Sequence, residues 1–489
     1  MAREERDQHA RAYALGRGPD AGLTAGSTEG APVPGVTGFA DQARRRFSPR
    51  QRNALIVLAL IFAAFIWRRP AAMAEAVHLI FFAGFMLSAL VKLAAACTPR
   101  RIDTTPLLAE EDLPAYTVIV PLYREASVAA ELVANLSRLD YPRDRLEVLI
   151  ALEASDRETQ AAFAALDLPA GFQVLIAPPG EPRTKPRACN VALERAHGEF
   201  VVIYDAEDAP HPGQLREAAA RFAAEGPDLA CLQAPLRIEP DQRFLPDQFA
   251  LEYAVLFEVF LPALSRWGLP FPLGGTSNHF RAAPLRAAGG WDPFNVTEDA
   301  DVGFRLAARG KRLGVISLPT LETAPTEWRV WRPQRARWIK GHIHTLAVHT
   351  RGPLVRSPRG AAALVLTLAL SVAASHLHGP MFVWLVLNVV GAILGLCPSV
   401  ELMDQVLVVL GWSCSAIAGA VAQQRAGQPP RMLPLIGAIA YWPLQSLAAA
   451  KALGQFVRAP SHWDKTPHTP RTARPLLVRE VARTGRALP

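Results

Sequence analysis

Apolar residues in this chain gather into two blocks, near 54–97 and 361–457, with a stretch of ordinary globular composition between them. No other feature constrains the fold as tightly. A helix of about 20 apolar residues crosses a bilayer, so the partition predicts one soluble domain held between two membrane regions. The first block contains two runs, 54–67 and 73–97, joined by Arg68-Arg69-Pro70. The shorter run reaches across only if Arg52 and Arg68 at its flanks snorkel. Glu75, His78 and Lys92 interrupt the longer one and are read as interfacial or helix-facing. The second block breaks at His376-Leu377-His378-Gly379-Pro380, at 398–404 and at a polar Gln/Arg/Pro loop, leaving runs near 361–377, 381–397, 405–422 and 433–453. The expectation is two spans over 50–98, a soluble domain over 110–350 and about four spans over 360–457.

Basic residues mark the ends of these runs. Arg44, Arg45, Arg46, Arg50 and Arg52 precede the first, and Arg100 and Arg101 follow the second. Cytoplasmic flanks retain Lys and Arg, so the soluble domain is expected on the cytoplasmic side. The net charge of +8 lies mainly in tails and juxtamembrane segments, which suits anionic headgroups or phosphates. No basic, aromatic-interleaved stretch points to nucleic acid. Residues 1–40 are rich in Gly, Ala, Pro and charge and are expected to be disordered; they lack the apolar core of a signal peptide. Residues 458–489 form a basic tail. Cys97, Cys189, Cys231, Cys397 and Cys414 show no Cys-x-x-Cys or His/Cys spacing, so neither a disulfide framework nor a zinc site is expected.

Between the blocks, short β-branched runs alternate with helical patterns, the mark of a parallel α/β sheet. Strands are read at Tyr116–Pro121, Leu146–Leu152, Phe172–Ile176 and Phe200–Tyr204, with helices near Ser127–Leu139 and Lys185–His197. The fourth strand runs straight into Asp205-Ala206-Glu207-Asp208. Ligands collect at the carboxyl ends of such strands, and a D-x-D or D-x-E there offers oxygens to a hard divalent cation that neutralises a diphosphate. The plainer reading is a solvated turn that caps the next helix. A second cluster, Thr297-Glu298-Asp299, reads as a helix start. A carboxylate held at such a start is well placed as a general base. A third, Gln334-Arg335-Ala336-Arg337-Trp338, puts Gln334, Arg337 and Trp338 on one helical face, offering forked donors for phosphate and a flat ring for a sugar. Its plainer reading is a helix lying on the membrane surface.

In this order, inside one α/β domain flanked by spans, the three clusters resemble the membrane-embedded, processive family 2 glycosyltransferases, which include cellulose, hyaluronan, chitin and poly-N-acetylglucosamine synthases. The resemblance covers residues 115–345 by motif. It implies a cytoplasmic, Rossmann-like GT-A domain inserted between transmembrane α-helices of a bacterial inner-membrane protein. It further implies that Glu153, or else Asp156, holds the base of a nucleotide sugar, with Lys185 and Asn190 in the same pocket. Asp205, Glu207 and Asp208 would bind Mg²⁺ or Mn²⁺, Asp205 also touching the nucleotide, and Asp299 would be the catalytic base. Gln334, Arg335 and Arg337 would bind the diphosphate. Trp338, Glu298, Gly275 and Thr276 would meet the acceptor.

The activity this resemblance implies is inverting polymerisation of a β-linked exopolysaccharide, foremost a β-glucan from UDP-glucose. The growing glycan would pass through the bilayer toward periplasmic export partners. The chain shows neither a C-terminal cyclic-dinucleotide module nor an F-x-V-T-x-K gating loop, which turns the reading away from true cellulose synthesis. Two alternatives stand: a non-processive family 2 enzyme that moves one sugar to a lipid carrier, and a non-catalytic membrane scaffold.

Overall fold

The computed structural model describes residues 42–100, 105–238, 241–396 and 401–463; the tail over 1–40 and all of the C-terminal tail beyond 463 lie outside the described residues. Two long helices come first, α1 (Pro49–Arg68) and α2 (Pro70–Cys97). Ser48 and Gln51 cap α1 reciprocally, satisfying donors that a first helical turn leaves open. Pro70 opens α2 at a position where its missing N–H is no loss.

The domain begins with β1 (Tyr116–Leu122), α3 (Ala129–Leu136), β2 (Leu146–Glu153), α4 (Arg157–Ala164), β3 (Phe172–Ala177), α5 (Lys185–Arg195) and β4 (Phe200–Ile203). These four strands are the ones read from the sequence, and they pair in parallel. Their side chains alternate between two cores. Val118, Val120, Val148, Ile150 and Val202 enter one, and Ile119, Leu149, Val201 and Ile203 the other. Both faces of β1, β2 and β4 are covered, so those strands appear as unbroken apolar runs, whereas β3 lies at the sheet edge with Val174 and Ile176 exposed.

Beyond β4 the sheet becomes mixed. The chain passes through β5 (Ala209–Pro210), α6 (Gln214–Glu225), β6 (Leu229–Gln233) and β7 (Leu236–Ile238) into one long helix. That helix comprises α7 (Phe244–Ala254), a π-helical turn (Val255–Phe260) and α8 (Leu261–Arg266). Then β8 (Asn278–Arg281) enters antiparallel between β4 and β6. It is followed by α9 (Ala282–Ala287), α10 (Glu298–Ala308), β9 (Arg312–Val315) and β10 (Thr320–Glu322). The order is β3-β2-β1-β4-β8-β6-β9, beside a small sheet β5-β10-β7. The all-parallel expectation fails at β8, whose Asn-His-Phe-Arg carries no β-branched run. Its polar side chains are instead engaged inside the core. His279 lies between the Tyr116 hydroxyl (2.6 Å) and Gln214 Oε1 (3.1 Å). Asn278 Nδ2 donates to Gly274 O (2.6 Å), while its Oδ1 is left without a partner among the described residues.

Next comes α11 (Trp328–His349), which carries the Gln-Arg-Ala-Arg-Trp cluster. It leads through α12 (Pro358–Ala363) and a second π-helical turn (Leu364–Ala369) into α13 (Leu370–Ile393), then α14 (Leu402–Arg425) and α15 (Met432–Arg458). Among the described residues six helices are long and apolar enough to cross a membrane: α1, α2, α7–α8, α12–α13, α14 and α15.

Where the sequence reading divides 361–397 into two runs, α12–α13 continues unbroken to Ile393, so among the described residues 360–457 holds three long helices instead of four. The expected break at Pro380 is repaired by α15. The Ser446 hydroxyl accepts from Gly379 N (2.8 Å) and lies within reach of the Ser375 and His376 carbonyls (2.8 and 3.2 Å). It thereby substitutes for ladder bonds that a proline removes.

Helix α15 itself stays on the domain along its length. Gln248 donates to Pro434 O, Trp331 Nε1 to Tyr441 Oη, and Arg46 to Val457 O. Tyr441, Ala448 and Ala452 share a core with the sheet residues Ile119 and Leu149.

Candidate active site

A cavity of about 670 Å³ opens at the carboxyl ends of β1, β2 and β4 and continues between α2, α13 and α15. Its floor is built by strand exits and one helix start. Asp205 leaves β4, Glu153 ends β2, and Asp299 stands in the first turn of α10. Lys185 projects from the first turn of α5. Its ammonium pairs with Asp205 Oδ1 at 2.5 Å and donates to Gly275 O at 2.7 Å.

Gly275 has no side chain, and that absence shapes the site. A Cβ there would stand 3.6 Å from Asp299 Oδ2 and 4.0 Å from Asp205 Oδ2. The two carboxylates therefore border the same small space.

The electrostatics set these acids apart. Burial, opposed by a backbone donor and by Lys185 and Arg337, leaves Asp299 raised to about 6. Burial and the adjacent Asp299 push Glu298 up to about 8. Burial depresses the Lys185 ammonium, but the Asp205 carboxylate beside it offsets that and holds the group charged. Asp299 thus titrates near neutrality while Glu298 behind it stays protonated, the division that separates a general base from a neutral neighbour.

The three acids after β4 diverge. Asp208 is fully buried, its Oδ2 accepting from Asp205 N (2.8 Å) and the Thr276 hydroxyl. Its Oδ1 is buried with no hydrogen-bond partner, and burial followed by the Asp205 charge raises it to about 8. Glu207 turns aside to accept from Thr323 Oγ1 (2.9 Å). Among the described residues no three His, Cys, Asp or Glu stand ready to enclose a cation. The donors nonetheless suit a hard cation that takes one or two carboxylates and completes its shell with phosphate and water. Asp208 Oδ1 is an orphaned oxygen, and Asp205 Oδ2 faces the Gly275 cradle. Glu207 lies outside that pair, and Thr276 serves to hold Asp208.

Helix α11 closes the cavity on the other side. Gln334, Arg337 and Trp338 line it, and Gln334 Oε1 is buried without a partner. The Arg337 guanidinium stacks 4.4 Å from the ring of Trp463. Trp338 packs near Phe249 and Tyr253. Arg335 also touches the cavity but is otherwise engaged. It forks onto Glu252 at 2.8 and 2.6 Å and donates to Tyr441 Oη.

Two expected nucleotide contacts do not line the cavity. Asp156 caps α4 through Thr159 N and accepts from Arg124 N. Asn190 clasps the Trp291 backbone in both directions, at 2.7 and 2.9 Å. Glu153 does line it, ion-paired with Arg187 at 3.2 Å.

Several lining residues escaped sequence reasoning. Glu252 and Tyr441 engage Arg335, Trp463 covers Arg337, and Glu322 on β10 is a buried acid raised by burial and by Asp208, Glu207 and Asp205. No local motif flags them. Ser88 and Lys92 on α2 and Ser371, Ser375 and His378 on α13 form polar walls between apolar helices. Here the interrupting residues noted in the sequence were a usable signal.

Residues 114–341 match the family described as glycosyltransferase like family 2. Glucomannan 4-beta-mannosyltransferase 2 of Arabidopsis thaliana is 27% identical over 269 residues, 52% of this chain and 50% of that one. Cellulose synthase 2 of Novacetimonas hansenii is 29% identical over 255 residues, 51% of this chain and 15% of that one. A beta-monoglucosyldiacylglycerol synthase of Trichormus variabilis is 24% identical over 304 residues, 60% of this chain and 62% of that one. The chain thus spans less than two thirds of these relatives' lengths. Among solved structures, a mannosyltransferase of Pyrobaculum calidifontis in complex with GDP-Man and Mn²⁺ superposes with a TM-score of 0.52 at 20% identity, covering 79% of this chain and 98% of that one. The fold is a GT-A-like α/β domain with a mixed sheet, flanked by long apolar helices.

Proposed function

We propose that this chain, whose residues 114–341 match glycosyltransferase family 2, is a processive, inverting, membrane-bound synthase of a β-linked glycan. One observation carries the reading: Asp205, Lys185, Asp299 and Arg337 line one cavity that runs on between apolar helices. A nucleotide sugar placed at the strand ends meets Lys185, Arg337 and Gln334 around its diphosphate and Glu153 nearer its base. Asp299 takes the proton of an acceptor hydroxyl. The hydroxyl oxygen bonds the anomeric carbon as the bond from that carbon to the diphosphate breaks, which inverts the centre. Lys185 and Arg337 stand where charge develops on the leaving group, and fixed donors there lower the barrier. Asp205 and Asp208 would hold Mg²⁺ or Mn²⁺, which supplies further neutralisation of the diphosphate.

Acceptor sugars would stack at Trp338 and extend past Ser371, Ser375 and His378. Helices α1, α2, α12–α13 and α14 would cross the membrane, while α7–α8 and α15 lie against the domain. This keeps the start of α1 and the end of α15 on the domain's side, and the basic flanks assign that side to the cytoplasm of a bacterial inner membrane. UDP-glucose is the foremost donor, and periplasmic export partners would receive the product.

A second reading, transfer of one sugar to a lipid, is favoured by the relative that makes a glucolipid, since the alignment with it covers 60% of this chain. Purified full-length protein supplied with a panel of radiolabelled nucleotide sugars tests both. A ladder of long products degraded by linkage-specific β-glycanases supports polymerisation. A single glycolipid supports the second reading, and no metal-dependent transfer or hydrolysis of any donor rejects both.

A further inference from the structure

A second cavity, of about 1000 Å³, lies on the other side of the π-helical turn between α7 and α8, with Phe257 lining both spaces. It sits at a seam. One wall is β9, the edge strand of the large sheet. The opposite wall is made by the ends of α2, α14 and α12 nearest the domain, at Arg100, Arg425 and Arg359. The lining is strongly cationic: Arg100, Arg266, Lys311, Arg312, Arg359 and Arg425 face it.

Among the described residues, internal neutralisation falls short of that charge. The lining acids are Glu225 and Glu258, and each is already shared. Glu225 takes Arg221 at 2.5 Å and Arg312 at 3.0 Å. Glu258 takes Arg237 at 2.7 Å and Arg100 at 3.7 Å. Arg425 donates to the carbonyls of Ala96, Thr98 and Glu258. Carbonyls satisfy its N–H groups, and the carboxylate near it, Glu258, already serves Arg237 and Arg100. Lys311 reaches Asp228 only at 3.4 Å. Arg266 and Arg359 are exposed, with no carboxylate partner among the described residues.

A cleft lined by one sign of charge over low-dielectric walls concentrates the opposite ion. Guanidinium forks match phosphate oxygens in particular. The floor adds a second requirement. Phe257, Leu269, Leu313 and Leu354 are apolar, so the fitting ligand carries a phosphate at one end and hydrocarbon at the other. The helix ends that form the wall are those that meet the headgroup layer when α2, α12–α13 and α14 span a bilayer, and basic pockets at that level select anionic headgroups.

We infer that this seam is a binding site for the phosphate headgroup of an anionic membrane lipid, separate from the nucleotide cavity. The inference depends on the helices residing in a bilayer, not on the reading of the catalytic site. Native mass spectrometry of the full-length protein, exchanged from detergent into phosphatidylglycerol or phosphatidylcholine, tests it against the variant Arg266→Gln/Lys311→Gln/Arg359→Gln. All three side chains lie at the surface, and an unchanged melting temperature checks that the variant folds.

The expected result is retention of phosphatidylglycerol by the wild type at least about tenfold above phosphatidylcholine, with the preference lost in the variant. A parallel titration with inorganic phosphate, in phosphatidylcholine nanodiscs, identifies the source. Phosphate binding that needs the three cations, without lipid preference, overturns the lipid headgroup and leaves a soluble phosphate ligand. Equal retention of both lipids with no such phosphate binding overturns the site altogether, as does a preference that survives in the variant.

Discussion

Arg335 is held by Glu252 through a two-point fork, Nη1 to Oε1 at 2.8 Å and Nη2 to Oε2 at 2.6 Å. Its neighbour Arg337, two residues on, instead presents its guanidinium to the cavity under Trp463. Two arginines that the sequence makes equivalent are therefore assigned different tasks. Arg337→Ala is expected to lower kcat/KM for the nucleotide sugar by about 10²-fold, the usual loss for one donor at developing charge, with an unchanged melting temperature. Arg335→Ala is expected to cost about 2 kcal/mol of stability, since it strands a partly exposed Glu252. Steady-state kinetics and thermal melts in detergent separate the two, and the reverse pattern would refute the assignment.

Gly275 keeps open the space between Asp205 and Asp299. The contacts a Cβ would make, 3.6 and 4.0 Å, are ordinary ones, so Gly275→Ala should fold normally. It is expected to lose at least about tenfold in transfer, because a methyl group occupies ground the donor needs. Full activity would show that the ligand lies elsewhere.

The pH profile follows from Asp299. A general base works only when ionised, and this carboxyl is raised to about 6 by burial. Below that pH kcat/KM should fall about tenfold per unit, and it should level off above it. Asp299→Asn should retain donor binding and show under about 10⁻² of wild-type transfer at every pH.

Asp208 links metal affinity to protons. Raised to about 8 by burial and by Asp205, it carries a proton at pH 7 that a cation must displace. Manganese affinity, followed by electron paramagnetic resonance, is expected to tighten as pH rises toward about 8 and then to plateau. Asp208→Asn should remove most of that slope. Chelation should abolish transfer and be reversed by added Mn²⁺.

Removing the ring over Arg337 offers a further check. Trp463→Ala is expected to raise KM for the nucleotide sugar about three- to tenfold, the equivalent of one lost cation–π contact. The change should leave the melting temperature within a degree or two, because the ring lies beyond the core.

Much of the fold was legible because its signals are local. The runs at Tyr116, Leu146 and Phe200 send successive side chains into two different cores, a period of two that a strand makes and a helix does not. The break read at His376–Pro380 failed for an equally specific reason. Glycine and proline mark a turn only when no neighbour replaces the missing backbone bonds, and Ser446, 67 residues away from Gly379, replaces them.

The sequence alone determined which residue types are present for chemistry: an acid run at a strand exit, an acid pair at a helix start and an arginine cluster before an apolar block. The tertiary structure decided which of them face the same cavity. It committed Asp156 to a cap, Asn190 to a loop clasp and Arg335 to Glu252, and left Lys185, Asp205, Asp299 and Arg337 around one space. Spacing along a chain reports only the geometry of a single element, whereas a charged side chain's role depends on which partner lies nearest across elements, and long-range packing alone sets that.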